Sequence, residues 1–143
     1  RFDQVYTPFE RAIEQVIEDC LLQGTSPAIV CIHSFTPVFK GQQRYLDLGI
    51  IHDASDASFA AYTLELGLKL GQYSAALNQP YEAGDGVTHT LAMHGVRRKL
   101  SNVMFEVRND LIRDNEGQAQ WAERLGSLIT GALKLEAVKA KNI

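Results

Sequence analysis

Two short apolar runs end in groups that can do chemistry. Ala28 to Pro37, AIVCIHSFTP, runs into His33 and a polar turn of Ser34, Thr36 and Pro37. Asn102 to Asp110, NVMFEVRND, carries Glu106 and closes on Arg108, Asn109 and Asp110. An imidazole is a ready metal ligand near neutral pH, and a carboxylate held in a partly dry site has its pKa raised toward use as a general base. A metal ligand on one strand end and a general base on the other is the simplest use of the pair. Each has a plainer competitor. A histidine at a strand end more often serves as hydrogen-bonded scaffold, and a glutamate between Phe105 and Val107 could mark an edge strand with one wet face. Alternation puts Arg108 on the side of Glu106, where a cation could bind a substrate carboxylate or merely pair with Glu106.

The remaining polar residues are weaker candidates. Arg44 precedes a strand and stands close in sequence to the His33 turn. Asn78 and Tyr81 flank a Pro80 turn, where turn chemistry accounts for them. His89 and His94 are five apart, not the four that put two ligands on one helical face. His52 lies beside Asp53, and its spacing to Asp56 reads as chance. There is no glycine-rich phosphate loop, no GxSxG, no HExxH and no CxxC pair, so nucleotide binding and serine-hydrolase chemistry have no support.

The elements that must position these groups alternate between apolar strands and amphipathic helices. Pro8 to Leu22 is expected as a helix, with Thr7 as cap, Glu10 completing a capping box, and Phe9, Ile13, Val16, Ile17, Cys20 and Leu21 as its buried stripe. A strand over 28–35, a polar turn at 38–44 and a second strand over 45–51 follow, with Gly49 as a point of close backbone approach. Cap residues at 53–58 lead into a helix to Leu70. Residues 74–81 suit a brief edge strand, 82–88 a flexible loop, and 89–99 a helical turn or two. The 102–107 strand precedes a long C-terminal helix over 117–139 that carries Trp121, Leu125, Leu128, Ile129 and Leu133 on one side. This order predicts a single α/β domain over 1–143, its sheet mostly parallel with helices on both faces.

The 143 residues suffice for one buried core. A net charge of −3 argues against nucleic acid or an anionic membrane as partner. No apolar run approaches a membrane span. Cys20 and Cys31, unpaired in pattern, fit reduced thiols in a cytoplasmic protein. Three strands make a small sheet, and the chain opens on Arg1, which together suggest a further segment upstream.

Several blocks then fit one family. HSFTPVFKGQQR (His33–Arg44), DLGII, NQPY (Asn78–Tyr81), FEVRNDLI (Phe105–Ile112) and GQAQWAERL (Gly117–Leu125), with VYTPFERAI at the start, together resemble the N-formylglutamate amidohydrolase family. The resemblance implies a zinc exopeptidase type of α/β fold, akin to zinc carboxypeptidases and aspartoacylase, of which this chain is the C-terminal part. It implies one zinc held by two histidines and a glutamate, with His33 matching the last ligand and the others expected upstream of Arg1. Glu106 matches the carboxylate that activates the zinc-bound water. Arg44 and Arg108, with Asn78 and Tyr81, then fall on the substrate side. The implied reaction converts N-formyl-L-glutamate and water to formate and L-glutamate, with a small N-acyl acidic amino acid as ligand and room for a homo-oligomer. Two departures bear on specificity: Gln79 stands where the family usually has glutamate, and His89 where an aromatic usually precedes the threonine. The alternative is a non-catalytic α/β binding module without a complete metal site.

Overall fold

The computed structural model describes residues 2–53 and 57–141. Residues 54–56, which hold half of the expected cap-rich stretch 53–58 and Asp56 of the His52–Asp56 spacing, lie outside them. A helical turn at Phe2–Tyr6 leads into α1 (Thr7–Leu22). Then come β1 (Ile29–Phe35), a hairpin of β2 (Val38–Phe39) and β3 (Gln42–Gln43), and β4 (Leu48–Ile51). They are followed by α2 (Ser58–Leu70), β5 (Ala75–Leu77), short helical turns at Leu91–Gly95 and Val96–Arg98, β6 (Asn102–Arg108) and α3 (Asn115–Ala140).

The main sheet has the order β1-β6-β4-β5. β1 runs parallel to β6, and β4 parallel to β5. β4 meets β6 antiparallel, so the sheet is mixed, with two of its three pairings parallel. β6 is therefore an interior strand, and the edge-strand reading of Glu106 does not hold. Alternation along β6 sorts the two faces. Val103, Phe105 and Val107 join Leu48 and Ile50 in a core capped by Phe59 and Ala60 of α2 and by Trp121, Leu125, Leu128 and Ala132 of α3. Met104 on the opposite face packs with Ile51 and Leu91, with Ile29 and Cys31 beside them. Helical structure thus covers both faces.

Three local expectations fail for identifiable reasons. Thr7 does not cap α1, because the chain enters the helix already coiled and Tyr6 holds the cap position in a helical conformation without a side-chain bond. Glu10 closes no capping box, because its carboxylate reaches across 84 residues to the buried His94 Nε2 at 2.7 Å. The apolar stripe of α1 is largely uncovered: only Ile17 is buried, while Phe9 and Val16 are 59% and 62% exposed. The polar turn at 38–44 proves to be a tight hairpin, with Lys40 and Gly41 both at positive φ as a two-residue turn requires. The second strand is shorter than its pattern, starting at Leu48. α3 begins two residues before its expected start, at a cap where Asp114 accepts the Gly117 N–H at 2.8 Å.

Candidate active site

Glu106 and His33 are register partners on neighbouring parallel strands, so their side chains leave the same face of the sheet side by side. Gly49 is the partner of Glu106 on its other flank. Gly49 has no side chain because the backbone of the 78–81 loop crosses there. A methyl at that position would run into the Gln79 carbonyl oxygen and stand 3.1 Å from both the Gln79 carbonyl carbon and Glu106 Cβ. The glycine thus lets one loop close over the strand beside the carboxylate.

That loop is fastened from beneath. Asn78, at φ 49°, donates its backbone N–H to the Ile50 carbonyl at 3.0 Å and accepts the His52 N–H on Oδ1 at 3.1 Å. The His52 ring lies 2.9 Å from the Asp53 carbonyl through Nδ1. A carbonyl can only accept, so Nδ1 carries the proton and Nε2 is left to accept from Asn78 Nδ2 at 3.1 Å. Asn78 is thereby committed to His52, and it positions the loop. Tyr81, at the loop's far end, accepts a hydrogen bond from Arg44 Nη1 at 3.3 Å.

Arg44 sits in an aromatic cage that its sequence position gave no hint of. Its Cζ is 4.5 Å from the centre of the Phe39 ring, 5.3 Å from Tyr81 and 5.8 Å from Phe35. The ring faces attract the guanidinium's charge, and a guanidinium is suited to pairing a bidentate anion. Arg108 is differently placed. It bonds Asp110 at 2.7 Å and Asp47 at 3.0 Å, and donates to the Tyr45 carbonyl at 2.8 Å. It ties the end of β6 to the approach of β4, and neither the pairing with Glu106 nor a free substrate cation describes that engagement.

The electrostatics single out Glu106. The residue is 4% exposed, and its buried Oε2 has no hydrogen-bond partner among the described residues. Burial pushes its pKa up, and the charges of His33 and Arg44 pull it partly back. A carboxylate so placed binds a proton more readily than a solvated one, yet ionises with cations at hand. His33 itself is exposed and borders an apolar groove of about 740 Å³ between α1 and β1. Of the other histidines, His94 is buried against Glu10, and His89 contacts the Tyr6 hydroxyl.

A catalytic zinc takes three protein ligands and keeps a position for water. Among the described residues, no group of three or more His, Cys, Asp or Glu side chains is gathered to hold one. His33 offers one donor beside the unpartnered Glu106, so these residues do not by themselves make up the zinc site that the resemblance implies.

The model of the N-formylglutamate amidohydrolase family matches residues 1–113. A gene product of Agrobacterium tumefaciens of known crystal structure is 38% identical, with a TM-score of 0.91 over 96% of this chain. An N-formylglutamate amidohydrolase from Ralstonia eutropha JMP134 is 17% identical and superposes over the whole chain with a TM-score of 0.63, a likeness of fold. The chain spans 54% of the length of each of these two proteins. No protein of curated function matches it.

Proposed function

From the premise that this chain belongs to the N-formylglutamate amidohydrolase family, we propose that it carries the proton-transfer and anion-binding side of an amide hydrolase acting on a small N-acyl acidic amino acid, with N-formyl-L-glutamate as substrate type. The observation that carries the reading is Glu106: a buried, unpartnered carboxylate on an interior strand, in register with His33. Glu106 takes a proton from the water that attacks the formyl carbon, and returns it to the amine as the C–N bond breaks. Formate and glutamate leave. Arg44, set against the Phe39 and Tyr81 rings, pairs with a carboxylate of the substrate and keeps its charge near Glu106. The 78–81 loop closes over Gly49 and keeps water from flooding the carboxylate.

Zinc dependence belongs to the same proposal. His33 would be one donor, and the remaining ligands would come from outside the described residues. When bound, the ion would supply Lewis acidity at the amide carbonyl.

The test is formate release from N-formyl-L-glutamate, by this chain alone and mixed with the half of the Agrobacterium relative that it does not match. Release that falls by about 10²–10⁴ in Glu106→Gln supports the reading. Equal rates in wild type and variant, or no release from either preparation, rejects it in favour of a binding module.

A further inference from the structure

The helices on the sheet face opposite Glu106 enclose a second cavity. It holds about 370 Å³, at the small end for a ligand site, and lies between α3 and the turn that follows α2. Gln120, Glu123, Arg124 and Ser127 line it from α3, at the three- and four-residue spacing that puts side chains on one helical face. Leu70, the last residue of α2, and Gln72 close the other side.

Two of these residues carry opposite charges and leave them unused. Arg124 is part-buried, with its Cζ 5.1 Å from the centre of the Trp121 ring and 5.3 Å from that of Tyr73. The rings attract its charge, yet none of its five N–H donors has an acceptor among the described residues. Glu123 likewise has no cation or hydrogen-bond donor among them. Consecutive helical residues diverge by about 100° around the axis, so the two side chains flank the cavity without pairing across it. An ordinary solvated charge extends into water. Arg124 instead rests over a tryptophan that is 3% exposed. The rest of the lining adds neutral hydrogen-bonding groups: the carboxamides of Gln72 and Gln120 and the Ser127 hydroxyl.

We propose that this cavity binds a free α-amino acid with a polar side chain, at a site separate from the candidate active site. The ligand's carboxylate pairs with Arg124 and takes a hydrogen bond from Ser127. Its ammonium pairs with Glu123 near the end of α2, where the last helix carbonyls favour positive charge. Gln72 and Gln120 meet the polar end of its side chain, and Leu70 meets the methylenes. An anion alone would face the Glu123 carboxylate, and a cation alone the Arg124 guanidinium. A zwitterion satisfies both. The site uses no residue of the Glu106 face, so it stands or falls independently of amide hydrolysis.

The experiment titrates this chain with L-glutamine by isothermal calorimetry and follows Trp121, the single tryptophan, by fluorescence. The expected result is saturable one-to-one binding with a change in Trp121 emission. Acetate and ethylammonium chloride, which carry one charge each, bind at least tenfold more weakly. Glu123→Gln and Arg124→Gln each weaken L-glutamine binding at least tenfold, while Glu18→Gln on α1 leaves it within twofold. The comparison with acetate and ethylammonium uses the unaltered chain, so it stands even where a variant folds poorly. No saturable binding of L-glutamine overturns the proposal. So does acetate that binds as tightly as L-glutamine, or a Glu123→Gln variant that binds it more tightly, since either leaves a site for anions alone. Binding that both cavity variants leave unchanged puts the amino acid elsewhere on the chain and overturns it too.

Discussion

Replacing Gly49 with alanine tests the geometry that places the carboxylate. The added methyl would meet the Gln79 carbonyl oxygen well inside van der Waals contact, and would approach the Gln79 carbonyl carbon and Glu106 Cβ to 3.1 Å. None of these atoms is the free end of a flexible side chain. The backbone at Gln79 must therefore retreat by roughly 1 Å or more, against the bonds that tie Asn78 to Ile50 and His52. Overpacking of this kind costs about 1–3 kcal/mol, and a rigid backbone opponent puts the case near about 3 kcal/mol. For a chain of this size that lowers the urea midpoint by roughly 1–2 M. The displaced loop carries Tyr81 away from Arg44, so binding of N-formyl-L-glutamate should fall as well, by up to about 10²-fold for a misplacement near 1 Å. Urea unfolding followed by tryptophan fluorescence reads the first effect through Trp121, and isothermal titration reads the second. A variant within about 0.5 kcal/mol of wild type that binds equally well would refute the close approach of loop and strand.

Further expectations follow from the same geometry. Burial raises the Glu106 pKa, so its neutral form favours the folded state. That contribution is complete at acid pH and is lost as pH rises from the ordinary glutamate value through the raised folded one. Glu106→Gln should thus gain stability relative to wild type between pH 4 and pH 7, as measured by urea midpoints at the two values; a relative loss would contradict it. Arg44→Met removes a cation that lowers the Glu106 pKa, so the acid limb of the hydrolysis profile should move to higher pH, and affinity for the substrate carboxylate should fall. Glu10→Ala leaves the buried His94 without its partner and should cost about 1–3 kcal/mol in unfolding free energy, with no change in the pH profile of formate release. Arg108→Met should destabilise the chain while leaving KM within a few-fold, because its donors engage Asp47, Asp110 and the Tyr45 carbonyl.

The sequence made the strands legible because their apolar runs are dense and bounded by turn residues, and it placed His33 and Glu106 at the ends of two of them. It could not say that those strands are neighbours in register, since pairing is a long-range property carried by no local pattern. The antiparallel step between β4 and β6 was hidden for the same reason. Gly49 was readable as a close approach, but not the Gln79 carbonyl that requires it. Periodicity misled at α1: its stripe is real, yet apolar spacing says only that a face seeks cover, and within this chain little covers it. The cage around Arg44 escaped because Phe35, Phe39 and Tyr81 come from three separate elements. Alternation put Arg108 on the side of Glu106, but the acids that claim it come from before β4 and after β6.

The most direct measurement is formate release from N-formyl-L-glutamate by wild type and Glu106→Gln, each alone and mixed with the half of the Agrobacterium relative that this chain does not match. The account predicts release by wild type and a loss of about 10²–10⁴ in the variant, whose fold is unchanged. Release by the variant at the wild-type rate would contradict it, because the buried carboxylate would then have no part in moving the proton.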